Sequence, residues 1–376
     1  MLSLYVHIPF CVRKCFYCGF YSTLYNKQSA DAFVSALALE SAHYGQAFKG
    51  RAFDSVYLGG GTPTSLFHNQ LAKVIDSIRE NFHIAPDAEF TVEANPNSLN
   101  DDLSQLFIER GVNRLSMGVQ SFSDRVLSIL GRMHNAAEAS DAFDRARQTG
   151  FKNISIDLMY GIPGQTMEDW VTTLTTAVAM QPEHISAYSL SLDEGSQFLR
   201  DAHEGTMEMP DDDMAADMYS VAVRLLADEG YDRYEVSNFA IPGYECRHNM
   251  NYWSRGEYLG LGPAAWSYIG GHRYANISNA LEYGKLILDG KSVAVIDEVV
   301  NVKQAAVETI MLGLRTTKGV ELAQYEVEFG MLAVQQLMQR SESLQHDGLI
   351  DMSEGRLRFT DRGFLLSNEA ITRLSE

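Results

Sequence analysis

The feature that most constrains the fold of this chain is a regular alternation of apolar runs of strand length with segments of helical periodicity. The predicted strands cover residues 2–7, 55–58, 89–93, 114–118, 153–158 and 184–190. The predicted helices cover residues 31–44, 71–81, 102–110, 136–149 and 169–180. Strands that alternate with helices form a parallel sheet with right-handed crossovers. The sequence therefore predicts an α/β fold whose core is a partial or complete parallel (β/α) barrel of about six repeats.

The alternation weakens after residue 192, and the second half has a different character. A proline and three aspartates predict a helix over residues 210–229, and a glycine-rich aromatic stretch covers residues 256–271. From about residue 301 the pattern is helix, short strand, helix, two strands and a closing helix, which is typical of a winged helix. We expect a barrel core at 1–200, an extension and linker at 201–300, and a mostly helical, winged-helix-like domain at 301–376.

The charge of the chain argues against nucleic acid as its partner. The net charge is −19, and the winged-helix-like segment 303–376 carries eight basic and eleven acidic residues. Its expected central helix has Arg340 and few other basic side chains. Proteins that bind nucleic acid need clustered Lys and Arg for phosphate contacts. We therefore expect a structural or protein-contact role for this segment.

Composition is that of an ordinary globular protein, with 45% hydrophobic and 21% charged residues. The sequence contains no apolar stretch near the ~18 residues that a membrane span needs. Its N-terminus reads directly into a strand without the basic region of an export signal. These observations, together with cysteines suited to a reducing compartment, predict a cytoplasmic protein.

Three cysteines, Cys11, Cys15 and Cys18, lie within eight residues directly after the first predicted strand. Thiolates held on one loop suit a soft metal centre. Iron–sulfur clusters normally use four cysteines, so a CxxxCxxC triplet leaves one iron open to a small molecule. The fourth cysteine, Cys246, is distant in the sequence.

Three other interpretations of the cysteine loop are less consistent with its spacing. Three neighbouring cysteines are an odd number for disulfides in a chain without a secretory signal. A structural zinc site would need a second Cys or His pair. A redox pair formed by Cys15 and Cys18 would leave Cys11 without a role.

Polar or glycine residues end four further predicted strands. Strand two ends in GGGTP (59–63), strand three in EANP (93–96), strand four in GVQSF (118–122), and strand five at Asp157. Parallel α/β proteins bind ligands at the carboxyl ends of their strands. The glycines let backbone approach a ligand, although a tight turn would use them equally well. The four motifs together predict a common pocket.

These motifs resemble those of the radical S-adenosylmethionine (SAM) superfamily, and more closely its coproporphyrinogen-dehydrogenase branch, over nearly the whole chain. The resemblance implies that Cys11, Cys15 and Cys18 hold a 4Fe-4S cluster whose fourth iron binds the amino and carboxylate groups of SAM. Carried over by motif, the residues implied to contact SAM are Tyr5, Tyr17, Gly60, Gly61, Thr62, Glu93, Gln120, Arg132 and Asp157.

The chemistry of three of these side chains agrees with the implied ligand. Glu93 can accept hydrogen bonds from an amino group, Arg132 can face a carboxylate, and Tyr17 can pack on an adenine ring. The segment around Arg132, residues 131–134, has an alternative interpretation as an exposed turn.

Two departures separate this chain from the catalytic branch. The catalytic relatives have the pattern CxxxCxxCxC, whereas this chain has Phe20 at the position of the last cysteine. Because Cys11 lies so near the start, we also expect the extension that precedes the cluster of those relatives to be missing. Residues 248–253 match HNxxYW, a signature of relatives thought to act as haem chaperones. His248 is an imidazole of the kind that binds haem iron, with Cys246 as an alternative ligand and Tyr252 and Trp253 as packing partners for a porphyrin. Without the resemblance, a locally packed polar and aromatic loop is the better explanation of this segment.

The resemblance leads to a first hypothesis: a cytosolic haem chaperone that binds haem, the cluster and SAM and delivers haem to acceptor haemoproteins, including membrane-bound respiratory proteins. An electron donor to the cluster is also implied. The second hypothesis is an oxygen-independent coproporphyrinogen III oxidase, in which electron transfer would cleave SAM and the radical formed would oxidise a propionate side chain. The third is a radical enzyme with an unrelated substrate.

Overall fold

The structure, a computed structural model, describes residues 1–375. The strands in chain order are β1 (Leu2–Ile8), β2 (Phe10–Cys11), β3 (Thr23–Leu24), β4 (Ala52–Gly60), β5 (His83–Ala94), β6 (Arg114–Gln120), β7 (Ile154–Tyr160), β8 (His184–Ser189), β9 (Asp232–Arg233), β10 (Asn238–Ala240), β11 (Glu257–Leu261), β12 (Trp266–Ile269), β13 (His272–Asn276), β14 (Ala294–Val299), β15 (Val320–Glu321), β16 (Ile350–Ser353) and β17 (Arg356–Phe359).

The helices are α1 (Lys27–Ala47), α2 (His68–Asn81), α3 (Asp101–Glu109), α4 (Asp124–Leu130), α5 (Ala136–Thr149), α6 (Met167–Ala179), α7 (Gln197–His203), α8 (Asp212–Asp228), α9 (Arg247–Trp253), α10 (Ala280–Leu288), α11 (Val302–Gly313), α12 (Leu322–Phe329), α13 (Met331–His346), α14 (Asp361–Leu365) and α15 (Ser367–Ser375). Two short 3-10 helices, Pro63–Ser65 and Pro96–Ser98, follow β4 and β5.

The predicted parallel (β/α) partial barrel is confirmed. The six strands β1, β4, β5, β6, β7 and β8 are neighbours in that order, and each pairs with the next in parallel. The 12-stranded sheet that contains them runs from β14 to β9, and these two edge strands are not paired with one another in residues 1–375. The barrel is therefore open.

Alternation along each barrel strand separates an apolar face from a polar face. In β1, Leu4 and Val6 belong to the buried core that also contains Phe33 of α1. Ser3, which precedes Leu4, accepts a hydrogen bond from the Ser55 hydroxyl of β4 at 2.7 Å. Successive strand residues point to opposite faces of a sheet. The helices thus cover the apolar face, and the polar face lines the barrel interior.

The same alternation recurs in the next strands. The buried apolar residues are Val56 and Leu58, Phe90 and Val92, Leu115 and Met117, and Ile154, Ile156 and Leu158. The residues between them include Tyr57, Glu89, Glu93, Arg114, Ser116, Asp157 and Ser186. A covered parallel sheet usually has apolar residues on both faces. The polar interior therefore indicates that this barrel holds something other than a hydrophobic core.

The sheet extends beyond the six repeats in a way that periodicity did not predict. Strand β11 pairs in parallel with β1, and β12, β13 and β14 continue from it antiparallel. At the other edge β10 pairs antiparallel with β8, and β9 pairs antiparallel with β10. The glycine-rich stretch 256–271 is therefore largely strand. Residues 247–253, for which a loop was one interpretation, form the helix α9.

The C-terminal segment has the predicted winged-helix-like outline. Helices α11, α12 and α13 precede the antiparallel pair β16–β17, and β15 adds to β17 to complete a three-stranded sheet. The division of the chain into segments at residues 200 and 300 stays a prediction. The large sheet takes strands from both sides of residue 200, so the first two segments share one sheet. Among the helices of residues 1–375, none has the length and apolar character needed to cross a membrane.

A buried carboxylate joins the sheet extension to the barrel. Glu40 of α1 accepts hydrogen bonds from the Tyr283 hydroxyl at 2.7 Å, the Asn276 side-chain amide at 2.8 Å and the Gly262 N–H at 2.8 Å. Burial raises the pKa of Glu40 to about 7, and the three hydrogen bonds oppose that rise. A buried charge of this kind is stable only while its donors are present.

We expect Tyr283→Phe to reduce the free energy of unfolding by about 1–3 kcal/mol, because the Glu40 carboxylate loses one buried donor while the ring is kept. Chemical denaturation monitored by circular dichroism measures the change. Tyr244→Phe is the control, since Tyr244 is exposed and a surface change of this size costs less than about 0.5 kcal/mol. Equal stability of the two variants would contradict the role given to Glu40.

Candidate functional site

A cavity of about 400 Å³ lies at the carboxyl end of the barrel strands and brings the cysteine loop together with the strand-end motifs. All three cysteines of the triplet line it, although no group of three or more His, Cys, Asp or Glu in residues 1–375 is arranged to hold a single metal ion. Eight of the nine residues implied to contact SAM also line it: Tyr17, Gly60, Gly61, Thr62, Glu93, Gln120, Arg132 and Asp157.

The cysteine loop is held by backbone contacts at both ends. Cys11 ends β2 and its carbonyl accepts from the Tyr25 N–H at 2.8 Å, while the Phe16 N–H donates to the Leu130 carbonyl at 3.2 Å. Burial raises the pKa of the Cys11 thiol and raises that of Cys18 to about 11. All four cysteines of the chain are free thiols. Three thiols around one cavity match the donors that an iron–sulfur cluster uses.

A chain of hydrogen bonds links two of the cysteines through the strand ends. Arg132 donates to the Cys15 sulfur at 3.4 Å and to the Asn95 side-chain oxygen at 2.6 Å. Asn95 donates in turn to the Thr62 hydroxyl at 3.1 Å, and Thr62 lies 3.6 Å from the Cys11 sulfur. Arg132 also donates to the Gly118 carbonyl. The alternative interpretation of Arg132 as part of an exposed turn is therefore not supported.

The three glycines of strand two are required by close approach. A β-carbon at Gly59 would lie 2.9 Å from the Glu93 carboxylate, and one at Gly61 would lie 2.6 Å from the Phe10 carbonyl oxygen. Gly60 has a φ of +108° and donates its N–H to Glu93 at 3.3 Å. This φ value favours glycine strongly. The glycines are therefore required by close packing against neighbouring strands and loops, and Gly60 and Gly61 also line the cavity.

Two buried carboxyl groups face the same cavity. Glu93 accepts from the Tyr57 hydroxyl at 2.8 Å, and burial raises its pKa to about 7, with the neighbouring Asp157 adding to the rise. Asp157 accepts from the hydroxyls of Ser116, Ser155 and Ser186 at 2.8–3.2 Å, while burial raises its pKa as well. A cationic ligand would favour the ionised form of both groups.

Two predicted residues lie outside this cavity. Tyr5 lines a separate cavity on the other side of the cysteine loop. His248 lines neither cavity and is 1% exposed. Its Nδ1 is 2.9 Å from the Ser55 hydroxyl, and its Nε2 is 2.9 Å from the Tyr252 hydroxyl. Burial lowers the pKa of His248 to about 3, so the ring is neutral.

Helix α9, which carries the HNxxYW motif, is fixed to the barrel interior by Glu89 of β5. The Glu89 carboxylate accepts from the N–H groups of Arg247 and His248, each at 3.1 Å, and from the Cys246 thiol at 3.4 Å. A carboxylate at this end of a helix is favourable because the first N–H groups lack partners within the helix. Burial raises the pKa of Cys246 to about 12. The thiol is therefore neutral and enclosed.

The cavity lined by Cys11, Cys15 and Cys18 is called the cluster cavity below. Several other residues that line it were not predicted as site residues, namely Asn95, Arg114, Ser116, Ser186, Tyr188 and Asn249. Asn95 belongs to the EANP motif and Asn249 to HNxxYW, so both stood inside motifs already recognised. The others occupy alternate positions on barrel strands, and the polar residues at those positions were the signal that could have found them.

The residues present fit a 4Fe-4S cluster with bound SAM. Three thiols supply the cluster ligands, two carboxyl groups match the positive amino and sulfonium groups, and a guanidinium matches the carboxylate. The Arg132 Nε is buried and has no hydrogen-bond partner among the described residues, which leaves one donor for a ligand.

Comparisons with known proteins agree with this geometry. Residues 5–177 match the radical SAM superfamily, and residues 300–366 match the HemN C-terminal domain. The chain is similar to the haem chaperone HemW of Lactococcus lactis, with 36% identity across 99% of this chain and 96% of that protein. It is also similar to the haem chaperone HemW of Bacillus subtilis, with 36% identity across 99% of this chain and 98% of that protein.

Among solved structures, the chain is similar to coproporphyrinogen III oxidase (HemN) from Escherichia coli, which is described as a radical SAM enzyme. The TM-score is 0.87 at 26% identity, and the match covers 100% of this chain and 90% of that chain.

We expect Asn95→Ala to reduce the iron and sulfide retained after anaerobic reconstitution, because Arg132 and Thr62 both lose the partner that orients them toward the cysteines. Loss of such an outer hydrogen bond costs roughly 10- to 100-fold in metal affinity. Iron and sulfide analysis during chelator challenge measures the effect. Asn97→Ala is the matched control, since Asn97 is exposed on the same segment. Equal retention by both variants would remove Asn95 from the site.

Proposed function

The chain belongs to the radical SAM superfamily and, within it, to the HemW family, and from this premise we propose that it is a haem chaperone. In this proposal it binds haem, a 4Fe-4S cluster and SAM, and delivers haem to acceptor haemoproteins. The observation that carries the proposal is the end-to-end similarity to haem chaperones. The chain also has Phe20 at the position where the catalytic pattern has a further cysteine.

The cluster site is assigned to Cys11, Cys15 and Cys18, and the SAM site to the eight residues that share their cavity. A bound cluster with one open iron supplies electron transfer and a coordination position for a small molecule. Arg132 orients a carboxylate beside Cys15, Glu93 accepts from an amino group, and the bare backbone of Gly60 allows close approach of the ligand. Tyr5 stays a predicted SAM contact, although in this structure it lines the neighbouring cavity and not the one that contains the cysteines.

His248 stays the predicted haem contact. Nδ1 faces the Ser55 hydroxyl, which donates to Ser3, and the tautomer that suits this contact carries the proton on Nδ1 and a lone pair on Nε2. That lone pair accepts from the Tyr252 hydroxyl. A neutral imidazole is the form that binds iron. Coordination by His248 therefore requires that the Tyr252 hydroxyl moves away from Nε2 and that the packing around the ring opens, since His248 is 1% exposed and lines neither cavity.

The partners follow from the proposed role. We propose acceptor haemoproteins, including membrane-bound respiratory proteins, and a reductant that donates electrons to the cluster. We also propose that the protein works in the cytoplasm, since cluster-binding cysteines need a reducing compartment.

A second candidate function is oxygen-independent coproporphyrinogen III oxidation, and the structural likeness to HemN over the whole chain favours it. The position of Phe20 argues against it, because this side chain is an exposed phenylalanine where the catalytic pattern has a thiol. An anaerobic assay of the reconstituted protein with coproporphyrinogen III separates the two functions. Repeated turnover to protoporphyrinogen would establish the enzyme and defeat a role as chaperone alone.

We expect the purified protein to bind haem stoichiometrically, with a Soret band that saturates on titration. The double variant His248→Ala/Cys246→Ala should show a shifted Soret band and weaker binding, since the predicted ligand and its alternative are both absent. His43→Ala, on the outer helix α1, is the control for losing an imidazole elsewhere. An unchanged spectrum and stoichiometry in the double variant would remove both side chains as ligands.

We expect SAM to bind more tightly as the pH rises through about 7, the raised pKa of Glu93. A cationic ligand selects the ionised carboxylate, so the proton must leave before binding, and affinity increases as the carboxyl ionises. Glu93→Gln should bind SAM more weakly and with a flatter pH profile. Calorimetric titration at several pH values measures both effects. A pH profile in Glu93→Gln as steep as that of the unmodified protein would assign the dependence to another group.

A further inference from the structure

A second cavity, of about 690 Å³, lies between the barrel, the sheet extension and helix α11. It is larger than the cavity of the cluster site and falls within the range of about 300–1,000 Å³ that small-molecule sites occupy. Because α11 supplies Glu308, Met311 and Leu312 to its wall, the cavity depends on the packing of the C-terminal segment against the barrel.

Aromatic rings dominate the wall of this cavity. Tyr252 of α9, Tyr258 of β11, Trp266 of β12 and Tyr268 of β12 all line it. The Tyr252 and Tyr258 rings are 4.6 Å apart at 89°, which is an edge-to-face contact. Trp266 is 42% exposed, so its indole is available to a ligand. Such a wall offers large flat surfaces to a planar ligand at little cost in side-chain entropy.

Two arginines line the cavity, and both are paired with acidic side chains. Arg255 pairs with Glu328, and Arg273 pairs with Glu298 at 3.4 Å and with Glu308 at 2.6 Å. Arg255 also donates to the Tyr268 hydroxyl at 2.9 Å, and Arg273 lies 5.8 Å from the centre of the Tyr268 ring. The aromatic surface, braced by these paired guanidinium groups, is therefore the feature that favours a planar ligand.

The backbone around this cavity is held in unusual conformations. Arg255 has a φ of +52° and Ala264 a φ of +62°, and both line the cavity. Non-glycine residues rarely adopt this left-handed region. At Arg255 this conformation ends helix α9, because the Arg255 N–H donates to the Tyr252 carbonyl at 2.9 Å and the Gly256 N–H donates to the Asn251 carbonyl at 2.8 Å. The end of the helix therefore fixes the position of Arg255 in the wall of the cavity.

The cavity is also connected to both motifs that suggested function. Phe20 of the cysteine loop borders this cavity and the cluster cavity. Tyr252 of HNxxYW forms part of the wall, and His248 lies directly behind it, hydrogen-bonded to the Tyr252 hydroxyl. A ligand in this cavity would therefore contact the cysteine loop on one side and the residue that covers His248 on the other.

From these observations we infer that the aromatic cavity is the site where haem is held. The inference rests on the proposed function for the identity of the ligand, and it adds the location of the porphyrin. The porphyrin ring packs against Tyr258, Trp266 and Met311, and its iron lies on the side of Tyr252 and His248.

The test is to fill the cavity and titrate with haem. Leu312→Trp adds a large ring at the α11 wall and should weaken haem binding at least about tenfold. Ile287→Trp is the matched control, because Ile287 of α10 is similarly half-buried but lines a different cavity. It should bind haem as the unmodified protein does. Iron and sulfide content after reconstitution shows whether each variant retains the folded cluster site.

A second variant guards against misfolding of the first. Trp266→Ser removes an exposed ring, so it should leave cluster content unchanged and weaken haem binding about two- to tenfold through the lost aromatic contact. If both Leu312→Trp and Trp266→Ser bind haem as the unmodified protein does, the cavity assignment is overturned while the proposed function stands. Failure of the unmodified protein to bind haem would overturn the proposed function itself.

Discussion

The strict alternation of the barrel strands is the constraint on which the rest of the structure depends. One set of side chains seals the sheet to its helices, and the intervening set is polar and faces inward. Because successive residues of a strand point to opposite sides, a shift of one residue in register would bury Glu93, Arg114 and Asp157 among apolar helices. The apolar core therefore fixes the position of every polar group in the interior. The cofactor residues are placed by the packing on the opposite side of the sheet.

This constraint explains why the barrel was predictable and the sheet extension was not. The six repeats have strong apolar strands and amphipathic helices, and each strand ends within two residues of its predicted end, although β5 begins six residues earlier than predicted. The strands β11, β12 and β13 have no such pattern, because Tyr258, Trp266, Tyr268 and Arg273 face a cavity instead of a core. A glycine-rich aromatic stretch looks like a loop when only periodicity is considered. Its regular structure depends on pairing with β1, which lies more than 200 residues away.

The candidate site, like the fold, was predicted from the sequence only in part. The family resemblance identified eight residues that share one cavity with the cysteines, and those at strand ends meet there because parallel strands deliver their carboxyl ends to one edge. Asn95 was overlooked because its role is to connect Arg132 with Thr62, and hydrogen bonds between distant segments leave no spacing pattern. The orientation of α9 was equally hidden. It depends on Glu89, a single carboxylate that accepts from the start of the helix, and this contact directs His248 toward Ser55 and Tyr252.

Phe20 gives the arrangement of two cavities a thermodynamic meaning. The same side chain borders both, and it belongs to the loop that carries the three cysteines. An occupant of either cavity therefore meets a surface that the other occupant also uses. Any free energy by which one ligand alters the position of this loop must appear equally in the binding of the other, because coupling between two sites is reciprocal. Phe20 is therefore the side chain through which the proposed occupants of the two cavities would be coupled, so that loading one cavity would change release from the other.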